Sequence, residues 1–190
     1  MSADDHRLIR ECLRGRPAAF GELVRRYQDR LYNAVFRLVG NGDDAQDIVQ
    51  ETFLSAYQSL PSFKGQALFF TWLYRIAFNN AVSLKRKQRV ALSISAVGED
   101  GGGSEPADRS EFSQPGLALE RSEQERRLHA ALQRLSPEHR AVLILKDMEG
   151  QKYEVMAEVL QVPIGTIRSR LHRARLELRE ILRTDPDLGS

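Results

Sequence analysis

Cysteine is nearly absent from this chain of 190 residues, because Cys12 is its only one. A single cysteine excludes an intramolecular disulfide and a cysteine-rich zinc site, and it suits a reducing cytosol. The four histidines lie in separate stretches without the spacing of metal ligands. We therefore expect neither a metal nor another cofactor.

Long apolar runs are also missing. No stretch approaches the roughly 18 apolar residues of a membrane-spanning helix. The N-terminal sequence, MSADDHRLIRECLRG, has no apolar core of signal-peptide length. We expect a soluble, cytoplasmic protein without membrane insertion.

Strand-like alternation is absent as well, and helical periodicity takes its place. In the first 90 residues we expect four helices: residues 4–14, a helix closed by Gly40, a third that Asp43 can cap and Pro61 ends, and a fourth from about Leu68 to Arg89. Apolar residues with helical spacing predict the core of the second and third helices. These residues are Phe20, Leu23, Val24, Tyr27, Leu31, Ala34, Val35, Leu38, Ala45, Ile48, Val49, Thr52, Phe53 and Ala56.

Glycine, serine, proline and acidic residues interrupt this periodicity after residue 91. From Gly98 to Glu125, eight acidic residues stand against two arginines, a balance that favours an extended chain. We expect an all-α protein of two small domains: a helical bundle at 1–91 and a helix-turn-helix domain at 119–184. A flexible acidic linker at 92–118 joins them, and a tail follows at 185–190. The linker is either a solvated tether or an acidic segment that rests on a basic groove as nucleic acid would.

The second domain ends in an arginine-rich helix. Ser136-Pro137 predicts a helix that Gly150 stops, a short helix follows from Tyr153 to Leu160, and the turn QVPIG leads into the basic one. At roughly 100° per residue, one apolar stripe forms on this last helix. It comprises Ile164, Ile167, Leu171, Ala174, Leu178 and Ile181.

The arginines of this helix surround that stripe. Ser169, His172, Arg173 and Leu176 lie opposite it, and Arg168, Arg170, Arg175 and Arg179 flank it. This arrangement fits a helix in a DNA major groove, with outward residues on base edges and flanking arginines on phosphates. The alternative is a solvated helix with ion pairs to Glu177 and Glu180. Two glutamates are too few to pair five arginines, so DNA binding is favoured.

Two sets of motifs, in order, resemble the extracytoplasmic-function (group 4) bacterial RNA polymerase sigma factors. The second region of that family is similar to FGELVRRYQDRLYNAVFRLVGNGDDAQDIVQETFLSAY and SFKGQALFFTWLYRIAFNN, and the fourth to RLSPEHRAVLILKDMEG, YEVMAEVL and PIGTIRSRLHRARLEL. The resemblance implies a non-enzymatic initiation factor that binds core RNA polymerase at its clamp helices and flap and recognises promoter DNA. The sequence leaves open whether an anti-sigma protein binds this chain.

The resemblance also implies three sets of site residues. The core-binding set is Asp44, Asp47, Gln50, Glu51 and Leu54, in which three carboxylates form an acidic ridge. The set for recognising and opening the minus-10 element is Phe63, Lys64, Phe69, Trp72, Arg75, Asn79, Asn80, Lys85, Arg86 and Lys87, with Asn79 at the pocket for an extruded base and Arg89 as a further phosphate contact. The minus-35 set is Thr166, Arg168, Ser169, Arg170, His172, Arg173 and Arg175. Trp72, Leu73 and Ile76 also fit a core role.

Three positions depart from the family pattern. Phe70 replaces a common arginine, Ser83 a common aspartate, and Val155 a common glutamate. The first two bear on promoter opening and the third on a phosphate-facing helix end. Two other classes of function are the alternatives. A stand-alone helix-turn-helix regulator would account for the arginine-rich helix but not for the motifs of the first domain. An enzyme is disfavoured because the sequence has neither a glycine-rich phosphate loop nor a constellation of metal ligands.

Overall fold

The part of the protein that the structure describes consists of helices joined by short connections. This structure is a computed structural model, and it describes residues 3–65, 67–95 and 115–184. The helices are α1 (Ala3–Leu13), α2 (Ala18–Val39), α3 (Gly42–Ser59), α4 (Phe69–Ser95), α5 (Pro115–Arg134), α6 (Pro137–Leu143), α7 (Tyr153–Leu160) and α8 (Ile164–Thr184), with a 3-10 turn at Leu60–Ser62 and a π turn at Ile144–Met148. The predicted all-α fold of two domains is confirmed.

The chain divides into two compact units, whose helices follow the predicted order. Helix α4 ends at Ser95 and α5 begins at Pro115, so helix extends into both ends of the predicted linker at 92–118. Residues 96–114 and the predicted tail at 185–190 lie outside the described residues, and the domain bounds stay a prediction. None of the described helices is both long enough and apolar enough to cross a membrane.

The start of α3 differs from the sequence prediction. Asn41, rather than Asp43, caps the helix, because its side-chain oxygen accepts a hydrogen bond from the backbone N–H of Asp44 at 3.0 Å. Asp43 lies in the first turn, where a carboxylate interacts favourably with the helix dipole. Gly40 precedes the cap with a φ of 85°, a left-handed conformation that glycine adopts without strain. The cap therefore lies two residues earlier than expected.

One apolar core holds α2, α3 and α4 together in the first unit. Helix α3 packs against α4, and α2 and α3 contribute residues from the predicted core positions. The fully buried members include Leu23, Leu31, Ala34, Val35, Ala45, Ala56, Leu73 and Ala77. The faces opposite this core are exposed.

A buried carboxylate ties α1 to α2. Asp5 is 2% exposed and accepts hydrogen bonds from Arg26 at 2.7 Å and from the Tyr27 hydroxyl at 2.8 Å. Burial of Tyr27, helped by the adjacent Asp5 carboxylate, raises the pKa of its phenol to about 12. The phenol therefore remains a proton donor to Asp5 at any physiological pH.

In the second unit, Arg140 caps the end of α5 from the neighbouring helix. Its guanidinium donates to the carbonyls of Leu132 at 2.7 Å, Gln133 at 2.8 Å and Leu135 at 3.2 Å. The last carbonyls of a helix lack partners within it, and a cation at this end also suits the helix dipole. Burial lowers the pKa of Arg140 to about 10, which leaves the side chain charged at neutral pH.

We predict that Asp5→Ala lowers the free energy of unfolding of the first unit by about 1.5–3 kcal/mol, because it removes the buried acceptor of the Arg26 and Tyr27 hydrogen bonds. Asp4→Ala is the matched control. Asp4 also contacts Arg26, at 3.2 Å, but its side chain is 60% exposed, so its loss should cost less than about 1 kcal/mol. Trp72 is the only tryptophan, so its fluorescence during urea unfolding reports on the first unit. Equal effects of the two substitutions would contradict this assignment.

Candidate nucleic-acid and polymerase interfaces

Helices α7 and α8 form the helix-turn-helix. Tyr153–Leu160 is followed by Gln161 in the left-handed conformation with a φ of 54°, and α8 begins directly after Pro163. The bounds of α7 agree with the sequence prediction. Helix α8 packs against α5, α6 and α7. These packing contacts hold α8 in place.

The apolar stripe of α8 lies where the sequence predicted it. Ile167, Leu171 and Ala174 are buried, and Ile164, Leu178 and Ile181 are half-buried. On the opposite face Ser169, His172, Arg173 and Leu176 are exposed. Of the remaining predicted minus-35 residues, Arg168 and Arg175 are exposed and Thr166 and Arg170 half-buried. The stripe thus leaves a basic, exposed face, as DNA binding requires.

The two glutamates of α8 have partners other than the arginines considered from the sequence. Glu177 Oε2 lies 2.6 Å from His139 Nδ1 on α6, and Glu180 pairs with Arg183 at 2.8 Å. Among the side chains described in residues 123–184, no carboxylate lies at ion-pair distance from Arg168, Arg170 or Arg173. Ion pairing to these glutamates therefore does not account for the basic face.

Arg175 differs from these arginines because it is paired. Its Nε lies 3.1 Å from Asp147 Oδ2 and its Nη2 lies 2.5 Å from Asp147 Oδ1, which gives a two-point ion pair. Hydrogen bonding to this carboxylate raises the pKa of the Arg175 guanidinium. Asp147 lies in the π turn after α6 and was not among the predicted site residues, since nothing in the sequence pairs positions 28 residues apart.

The predicted core-binding residues lie along one side of α3. Asp47, Gln50, Glu51 and Leu54 are exposed, and Asp44 is half-buried. Leu54 is 52% exposed, and it lies next to these carboxylates. The opposite side of the helix packs in the core through residues such as Ile48 and Phe53. An apolar residue with acidic neighbours is a suitable contact surface for a basic protein partner.

Aromatic rings from the loop before α4 and from its first turn pack together. The Phe63 and Trp72 rings lie 4.8 Å apart, and both side chains are half-buried. Phe69 was predicted to be part of the minus-10 surface, but it is fully buried, with the rings of Tyr27, Phe63 and Trp72 all within 6 Å. Phe69 therefore supports the other two rings and offers no surface to a base. Leu73 is buried, as a core role requires.

The remaining minus-10 residues follow along α4. Lys64, Asn79 and Arg86 are exposed, and Arg75 is half-buried. The Asn80 amide donates to Thr52 Oγ1 at 3.3 Å, so this predicted contact residue bonds to α3. The side chains of Lys85, Lys87 and Arg89 lie outside the described residues. The structure therefore brings Phe63, Trp72 and the Asn79 face of α4 into one small domain.

Comparison with known proteins assigns both units. The family model for sigma-70 region 2 matches residues 23–90, and that for sigma-70 region 4 matches residues 125–178. The RNA polymerase sigma-H factor of Pseudomonas aeruginosa is 38% identical over 174 residues, which cover 90% of each chain. The ECF RNA polymerase sigma-E factor of Haemophilus influenzae is 35% identical over 90% of this chain and 91% of its own.

The chain belongs to the ECF sigma factors. Among solved structures it is similar to the sigma factor RpoE bound to the anti-sigma factor NepR from Bartonella quintana, with a TM-score of 0.71, 27% identity, and coverage of 87% of this chain and 98% of that one. It is also similar to CnrH in complex with the cytosolic domain of CnrY, with a TM-score of 0.67, 27% identity, and coverage of 96% and 99%. The region 2 match has no counterpart in a stand-alone helix-turn-helix regulator.

The departures from the family pattern have different surroundings in this sigma factor. Phe70 is buried, and the guanidinium of Arg30 from α2 lies 3.9 Å from the centre of its ring. A cation therefore lies beside this position although the residue itself is apolar. Ser83 is exposed on α4, and Val155 is half-buried on α7.

We predict that Arg173→Ala and Arg175→Ala affect binding of minus-35 DNA differently. Arg173 lies on the outward face, so its loss should cost about 1–3 kcal/mol and relax base preference at one position. Arg175 flanks that face, so its loss should weaken all sequences alike and lower the salt slope by about one unit. Titrations against duplexes with each base changed in turn, at several salt concentrations, measure both effects. Uniform weakening by both substitutions would contradict the assignment of Arg173.

Proposed function

We propose that this sigma factor binds core RNA polymerase through the acidic side of α3, reads the minus-35 element with α8 and opens the minus-10 element along α4. One observation carries the proposal: matches to region 2 and region 4 occur in order on a single chain. Sigma factors direct promoter-specific initiation, and these two regions recognise promoter elements. The residue assignments come from the resemblance to the family, and the faces described above support them.

For polymerase binding we propose Asp44, Asp47, Gln50, Glu51 and Leu54 as the contact surface. The carboxylates would steer a basic surface of the clamp helices toward α3, and Leu54 would lose its exposed apolar surface there. Because the opposite side of α3 packs against α4, binding at this surface also fixes the position of the minus-10 residues.

For the minus-10 element we propose that the Phe63 and Trp72 rings form a stacking surface and that Asn79 reads the edge of an extruded base. Base stacking on aromatic rings is worth about 1–3 kcal/mol per base, and an extruded base requires a polar group at its edge. Lys64 and Arg86 are exposed and can contact phosphates next to this surface. Single-stranded DNA is held in this way without the protein doing chemistry on it.

For the minus-35 element we propose that Ser169, His172 and Arg173 on the outward face read base edges together with Arg168, which reaches them from the edge of that face, while Thr166, Arg170 and Arg175 contact the backbone. We infer that the chain has no catalysis of its own and places DNA for the active site of the polymerase. Because bacterial transcription takes place in the cytoplasm, we infer that this sigma factor acts there. We also propose that this sigma factor binds an anti-sigma factor, in the way that the similar RpoE binds NepR and CnrH binds CnrY.

We predict that Asp47→Lys combined with Glu51→Lys lowers the affinity for core polymerase at least about tenfold, since it places like charges opposite a basic surface. The control reverses two exposed acids of α2, Glu22→Lys with Asp29→Lys, which changes the net charge equally. Competition against a second sigma factor for limiting core polymerase measures the affinity. Equal losses from the two double variants would contradict the proposed surface.

A further inference from the structure

One edge of α8 carries a row of basic residues with an acid beside it. Arg168, His172, Arg175 and Arg179 follow one another at spacings of four, three and four residues, which places them along the same edge at roughly 100° per residue. Asp147 reaches this edge from the π turn at Ile144–Met148. Single π turns inside helices are frequent at functional sites.

The geometry of the pair leaves part of the guanidinium available. Asp147 engages Nε and one N–H of Nη2, which form the side of the planar group. Arginine has five N–H donors, so three remain, at the end of the side chain. The Arg175 side chain is 52% exposed and that of Asp147 is 38% exposed, so a phosphate can approach that end without displacing the carboxylate.

Other cations adjoin the same place. Lys146 Nζ lies 5.0 Å from the centre of the Tyr153 ring, and the guanidinium carbon of Arg168 lies 5.8 Å from it. The Lys146 ammonium also donates to the carbonyl of Gln151 at 3.1 Å, which fixes it in position. The combined charge of this cluster stays positive although Asp147 is part of it, as a polyanion requires.

Fixing an arginine before it binds has a thermodynamic consequence. A free arginine loses rotamer freedom when it holds a phosphate, and part of that loss is avoided if the side chain is already held in place. We propose that Asp147 is a positioning residue, which holds the Arg175 guanidinium in the orientation that binds a phosphate of the minus-35 duplex. This inference rests on the proposed function of α8.

The proposal predicts a change opposite to that of simple electrostatics. Asp147→Asn removes a negative charge near DNA, which alone would strengthen binding. If the carboxylate positions Arg175, the same substitution instead weakens binding of a minus-35 duplex by about two- to tenfold, the loss expected for one side chain that must be immobilised anew.

The test is a double-substitution cycle on the full chain assembled with core polymerase. Asp147→Asn is introduced into the natural chain and into a chain that carries Arg175→Lys. Lysine keeps the positive charge but has no planar guanidinium that a carboxylate could hold along one side. We expect weakening in the arginine background and none in the lysine background. Glu180→Gln is the matched control, because it removes a carboxylate that pairs with Arg183 on the same helix, at 2.8 Å. It should not weaken binding. Thermal unfolding midpoints are compared to show that the variants fold alike.

Other results overturn the inference. Stronger binding after Asp147→Asn only in the arginine background would mean that the carboxylate competes with phosphate. Equal changes in both backgrounds would mean that only its charge matters. Either result, from a chain that still directs transcription, refutes the positioning role and leaves the proposed function intact. A chain that neither transcribes nor binds the minus-35 duplex would refute both.

Discussion

Burial of one apolar stripe on α8 is the constraint on which the DNA-facing surface depends. Ile167, Leu171 and Ala174 can leave water only if this side of the helix packs on α5, α6 and α7. The arginines, which are costly to bury, must then lie at the edges or on the opposite face. Packing and minus-35 recognition therefore follow from the same pattern, and a substitution in the stripe would disturb the proposed contacts of α8 to DNA.

The same division operates in the first unit with different residues. One side of α3 packs in the core and the other exposes the acidic residues and Leu54. Buried Phe69 holds Phe63 and Trp72 in place next to α4. The packed core of the first unit therefore lies between a surface suited to a protein partner and a surface suited to single-stranded DNA. Polymerase binding and promoter opening can be coupled through this core.

Periodicity in the sequence predicted most of what depends on a single helix. The stripe of α8, the exposed side of α3 and the bounds of α7 are examples, because each follows from spacing along one element. Contacts between elements could not be predicted. Asp147 with Arg175, His139 with Glu177 and Arg30 over Phe70 all join distant positions. The burial of Phe69 and the cap at Asn41 were missed for related reasons, since ring packing and competing turn residues are set by local three-dimensional geometry.

The central claim is that this chain directs initiation at promoters with two separated elements. The most direct measurement is transcription in vitro with sigma-free core polymerase and a randomised promoter library, followed by sequencing of the RNA 5′ ends. The account predicts transcripts that start at a fixed distance from two short shared motifs, one read by α8 and the other opened along α4. An absence of transcripts, while the chain still binds duplex DNA alone, would contradict it.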